Sequence, residues 1–116
     1  MSLDIELYIK CEDAGDGEEH CHTLPGCDWN YTHNVSDMWR EAGCYEALYE
    51  SNDKRAREIL PDLQKAVQAM TDDPEKYKDM NPPNGWGDYS SALSWLQEIR
   101  SACERYPNAR IWIWAY

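Results

Sequence analysis

No run of about 18 apolar residues occurs in the chain, so no segment reads as a membrane-spanning helix. The opening residues, MSLDIELYIK, lack the basic and apolar regions of a secretory signal, and a cytoplasmic location is expected. The five cysteines (Cys11, Cys21, Cys27, Cys44, Cys103) are odd in number, and without a secretion signal they read as free thiols. There is no phosphate loop, nucleophile elbow or H-E-x-x-H. His33 with Asp37, or Cys27 with His33, could be drawn as a catalytic pair, but no other group converges on either. No catalytic residue and no cofactor are assigned, and no internal repeat is present.

Basic charge is scarce in the first half. Residues 1–50 carry 12 Asp/Glu against Lys10 and Arg40, a net of -10. Residues 51–116 carry 10 acids against 9 bases, a net of -1. Such a field repels phosphates and attracts Lys and Arg. Direct nucleic-acid binding is therefore not expected, and a basic partner is.

The 116 residues suit one domain, 1–116, with enough chain to bury a core. A hydrophobic content of 42% with regular patterning argues against disorder. Leu3, Ile5, Leu7 and Ile9 alternate with Asp4, Glu6, Tyr8 and Lys10, the signature of a half-buried strand. Ala109–Tyr116 alternates as well, with Ile111 and Ile113 opposed to Trp112, Trp114 and Tyr116. The two terminal strands are expected to pair, and a third short strand is expected near Asp28–Tyr31. The aromatic side of the last strand is either covered or a contact surface, and a homodimer contact through it is one possibility.

Helical spacing appears in Val35, Met38, Trp39 and Ala42, with Asn34 as N-cap and Gly43 as stop. Ile59, Leu63, Ala66, Val67 and Met70 form a second stripe. Pro61 is expected to open that long helix after a separate short turn. Pro74–Met80, capped by Asp73, and about Asp88 to Tyr106 complete the set. The expected class is α+β, a small sheet from the N- and C-terminal strands packed against three or four helices. The expected core is Ile5, Leu7, Ile9, Trp39, Leu63, Val67, Leu93, Leu96, Ile111 and Ile113.

Four stretches carry candidate chemistry. Glu12–Glu19, EDAGDGEE, packs five acids and two glycines into eight residues and reads as a mobile acidic loop. Its spacing is not that of an EF-hand. His20, Cys21, His22 and Cys27 raise the question of zinc, but their spacing is poor and a polar turn with incidental thiols competes with it. Lys54, Arg55 and Arg57 form a basic knot, solvated or paired with the acidic half. In NPPNGWG (Asn81–Gly87), prolines and glycines bracket Trp86, which either folds back as a plug at the helix entrance or faces a ligand or partner.

Together, NYTHN (Asn30–Asn34) and NPPNGWGDY (Asn81–Tyr89) resemble a family of small uncharacterised bacteriophage proteins. Leu60-Pro61 and Asp72–Tyr77 fit its layout, and the likeness covers most of the chain. Some relatives carry a C-x-x-C near the first strand, where this chain has only Cys11. The resemblance implies a phage context and a location in host cytoplasm.

Two functions are expected from these features. The first is a small acidic phage-type protein that binds a basic host protein surface through Glu12, Asp13, Asp16, Glu18 and Glu19. Its partner would be a nucleic-acid-binding complex, as in an anti-CRISPR-like counter-defence inhibitor. The alternative is a small-ligand or metal-binding domain. Its ligand would sit between NYTHN and NPPNGWG, on Asn30, His33, Asn34, Asn84 and Trp86, and its metal on Cys21, His22 and Cys27.

Overall fold

The structure, a computed structural model, describes the backbone of residues 2–12 and 19–116, and side chains at 2–10 and 22–116. It is α+β. Strands β1 (Ser2–Glu12), β2 (Glu19–Thr32) and β3 (Arg110–Ala115) form an antiparallel sheet in the order β2-β1-β3. Five helices follow the hairpin: α1 (Ser36–Ala42), α2 (Tyr45–Tyr49), α3 (Ala56–Asp72), α4 (Pro74–Lys78) and α5 (Tyr89–Arg105). The terminal strands pair from Leu3↔Ala115 to Tyr8↔Arg110.

The strand near Asp28–Tyr31 is the end of a longer one. His20–Leu24, expected as part of a polar turn, lies in β2, where residues 19–23 pair with β1. The register shift explains why. Five steps from Thr23 to Asp28 on β2 face two steps from Tyr8 to Glu6 on β1. Pro25 offers no amide hydrogen and Gly26 has a φ of +75°, so the ladder breaks there and the alternating pattern is lost. Glu12 and Glu19 pair with each other as strand residues, not as part of a loop. Asp13, Asp16 and Glu18 lie outside the described residues.

Leu3, Ile5, Leu7, Trp29 and Ile111 point from the sheet into one core with Trp39, Leu63, Val67, Leu96 and Ile99. Leu93 and Ile113 are half-buried at its margin. Ile9 is a correction, being 40% exposed. β3 stops pairing with β1 at Tyr8, and Ile9 lies on the two-stranded continuation beyond that point. Trp95 of α5, absent from the expected core, is buried.

Pro61 lies inside α3 and does not start it. Its ring removes one backbone hydrogen bond. The stripe Ala56, Ile59, Leu63, Ala66, Val67, Met70 is buried on both sides of it, so burial carries the helix across the proline. Thr32, rather than Asn34, makes the cap before α1. It accepts the Asn34 amide and starts a 3₁₀ turn at His33–Val35. Gly43 ends α1 in the left-handed conformation, as expected. Among the described residues, Arg55 and Arg57 form no ion pair with the acidic half. Their guanidinium groups donate to the Asn108 carbonyl and side-chain oxygens.

Candidate functional site

Because directly paired residues in an antiparallel ladder share a face, the register also defines the outer face of the sheet. Asp4 stands between Asn30 on β2 and Trp114 on β3. Glu6 stands between Asp28 and Trp112. Asp4 and Glu6 are half-buried, whereas Asp28 and Asn30 are exposed. Trp112, Trp114 and Tyr116 are 45%, 54% and 53% exposed, so no described residue covers them fully. The choice left open for this aromatic stripe is resolved as uncovered surface.

The carboxylates on this face have little internal compensation. Asn30 Nδ2 donates to Asp4 Oδ1, and Thr23 Oγ1 donates to Glu6 Oε2 at 3.2 Å. Among the described residues, Asp4, Glu6 and Asp28 form no ion pair. Glu6 and Asp28 are like charges directly opposite each other, an arrangement that costs stability. Further along, Tyr8 donates to Asp53. That bond, and then Lys10 at 3.9 Å, hold the Asp53 carboxyl below its ordinary value. The cations Lys10 and Arg110 thus cluster around Asp53, away from Asp4, Glu6 and Asp28.

The structure brings NYTHN and NPPNGWG together. The Asp88 amide donates to Tyr31 Oη at 3.2 Å, and Ser91 Oγ lies 2.6 Å from the same oxygen. Gly87, at a φ of +93°, fits against Thr32, Val35 and Tyr31. The loop itself is tied by Asn81 Oδ1, which accepts from Tyr89 N, and by Asn84 Oδ1, which accepts from Trp86 N. Asp88 caps α5 by accepting the Ser91 amide at 2.8 Å.

This clamp holds Trp86 out in solvent. Trp86 is 69% exposed, so it is neither a plug nor a core residue. The plug role belongs to Gly87 and Tyr31, whose ring packs against Trp39 and Trp95. Asn30, Asn34, Asn84 and Trp86 line one depression of about 510 Å³, with Ser2 and Thr32. His33 is not among its walls. Its Nε2 donates to the Tyr116 carbonyl at 3.1 Å, so Nδ1 accepts from the Tyr49 hydroxyl at 2.8 Å. His33 therefore ties the start of the helical region to the end of β3. The Tyr49 hydroxyl is pushed up to about 12, chiefly by burial, which keeps it a donor.

Two of the three candidate zinc ligands, Cys27 and His22, have described side chains. Cys27 is buried in the core, whereas His22 is exposed. The Cys21 side chain lies outside the described residues. Among the described residues, no three His, Cys, Asp or Glu side chains cluster as metal ligands do. Burial raises the Cys27 thiol and pushes those of Cys44 and Cys103 up to about 12. Thiols so placed are poor nucleophiles.

Sequence reasoning missed two surfaces. One is the carboxylate pattern on the outer face, which becomes visible only once Asp28 is known to oppose Glu6. The other is a groove of about 860 Å³ between the Pro25–Trp29 part of β2 and α5, with Arg100 and Arg105 on its α5 side. The proline and glycine that interrupt the β2 pattern, Pro25 and Gly26, line this groove. No family model, curated protein or solved structure matches the chain. Among the described residues, no helix is long and apolar enough to cross a membrane.

Proposed function

We propose that this protein binds a basic protein surface with the outer face of its sheet. The observation that carries the reading is the register Asp28–Glu6–Trp112 beside Asn30–Asp4–Trp114. Carboxylates without internal cation partners attract Lys and Arg, and exposed indoles beside them accept the same cations over their ring faces. Self-pairing through this face would set Asp4, Glu6 and Asp28 of one copy against those of the other. A basic partner fits the face better than a second copy joined through Trp112, Trp114 and Tyr116.

In its concrete form, the protein is a counter-defence inhibitor of phage type, acting in host cytoplasm. Its carboxylates compete with nucleic-acid phosphates for the basic channel of a host complex, as an anti-CRISPR-like protein does. Glu12, Asp13, Asp16, Glu18 and Glu19 add five negative charges to the N-terminal half. Support for this form comes from the charge asymmetry and the phage resemblance of NYTHN and NPPNGWG.

The test is target-DNA binding by purified CRISPR effector complexes, titrated with the wild-type protein and with an Asp28→Asn/Glu6→Gln/Trp112→Ala variant. The reading expects at least one complex to lose DNA binding to the wild type and to retain it with the variant. Unchanged DNA binding throughout the panel would reject the inhibitor form. Equal inhibition by wild type and variant would reject the sheet face as its carrier.

A further inference from the structure

The depression between NYTHN and NPPNGWG differs in chemistry from the acidic sheet face beside it. Its walls are Ser2, Asn30, Tyr31, Thr32, Asn34, Asn84 and Trp86. None of these side chains carries a formal charge. The hydrogen-bonding capacity left over is nevertheless considerable. Among the described residues the Asn34 side chain forms no hydrogen bond, and the residue is exposed. Asn84 spends its oxygen on the Trp86 amide, and among the described residues its NH₂ has no partner. Asn30 spends an NH₂ hydrogen on Asp4, and among the described residues its oxygen has no partner.

Beside these amides stands an indole that the fold spends local structure to expose. The Asn84 side chain fixes the Trp86 amide, Gly85 takes a φ of +75°, and Gly87 packs against Thr32. A tryptophan on a loop tied at both ends has little conformational freedom to lose on binding. An exposed aromatic plane, flanked by neutral donor and acceptor pairs, matches a ring that is apolar on its C–H face and hydroxylated at its edge. The surrounding negative charge disfavours phosphates and other anions.

We propose that this depression is a binding site for a neutral saccharide, stacked on Trp86 and hydrogen-bonded by Asn30, Asn34 and Asn84. The volume of about 510 Å³ falls within the range of small-ligand sites. The site shares Asn30 with the basic-partner face, but Glu6, Asp28 and Trp112, the residues that test that face, are not among its walls.

The experiment is saturation-transfer NMR on the full chain. The probes are glucose, galactose, mannose, N-acetylglucosamine and cellobiose, with sialic acid and adenosine as charged and aromatic controls. At least one neutral sugar should bind with a Kd on the order of 1 mM or tighter. Trp86→Ala should weaken it roughly tenfold or more, and Trp86→Tyr should retain most of the affinity. Asn34→Ala, at an exposed position, should weaken it several-fold without moving the unfolding midpoint. Absence of binding by every neutral sugar, equal affinity in Trp86→Ala, or a preference for sialic acid or adenosine would each overturn the assignment.

Discussion

Gly87 lies so close to Thr32 that a Cβ at position 87 would stand 2.8 Å from Thr32 Cγ2. The two motifs that mark the sequence are thereby one physical unit, a loop seated on the segment between β2 and α1. Gly87→Ala should destabilise the protein by about 1–3 kcal/mol, from the positive φ and the clash together. Thr32→Ser removes the clashing methyl and keeps the capping oxygen, so it should recover part of that loss. Gly85→Ala, with open space around its Cβ, should cost less than Gly87→Ala. Urea unfolding of these variants and the double mutant measures the coupling. Additive losses for Gly87→Ala and Thr32→Ser would contradict the contact.

The strands at the two ends and the stripes of α3 and α5 were legible because their periods are unbroken. The alternation of Leu3, Ile5 and Leu7 has one interpretation, as does the spacing of Ile59, Leu63 and Val67. Thr23–Asp28 was not legible, because Pro25 and Gly26 imitate a turn where the chain makes a bulge within a strand. Trp86 keeps two readings in the sequence, plug or outward-facing, for a related reason. Local turn chemistry shows that the loop is stiff, but not which way its side chain points, and contact with Thr32 through Gly87 decides that. His33 was grouped with Asn30 and Asn34 by proximity in sequence. The 3₁₀ turn rotates it away to Tyr49 and Tyr116.

Cys27, Cys44 and Cys103 should be inert in the folded protein. Burial raises all three thiols, so little thiolate exists at neutral pH. In a Cys11→Ser/Cys21→Ser variant, Ellman's reagent should find no fast-reacting thiol before unfolding and three after it. Rapid native-state reaction would contradict the burial of these thiols in the core.

The Asp88 carboxyl is held below its ordinary value of 3.8, first by the Ser91 amide and then by the Ser91 hydroxyl. A depressed folded value contributes stability in full above the unfolded value and loses it as pH falls through the folded one. Asp88→Ala should therefore cost about 1 kcal/mol at neutral pH, and the penalty should shrink as pH falls below 3.8. Chemical denaturation from neutral pH into the acid range checks this. A penalty independent of pH would show that Asp88 does not act through its charged form.

Glu6 and Asp28 oppose each other across β1 and β2, with Trp112 on the other side of Glu6. Glu6→Gln should leave stability unchanged or raise it by roughly 0.2–1 kcal/mol, because it relieves like-charge repulsion. Thermal unfolding at low and high salt reads the effect, which should diminish as salt screens the pair. A clear loss of stability would mean that Glu6 is held by a structural partner rather than poised for an external one.

The account stands most directly on the affinity of the outer face for cationic side chains. The measurement is titration of an arginine-rich peptide into the wild type and into Glu6→Gln/Asp28→Asn/Trp112→Ala, followed by calorimetry at two ionic strengths. The account predicts salt-sensitive binding to the wild type, weakened about tenfold or more in the variant, with an unchanged fold. Equal binding by the two proteins, or none by the wild type at low salt, would contradict it.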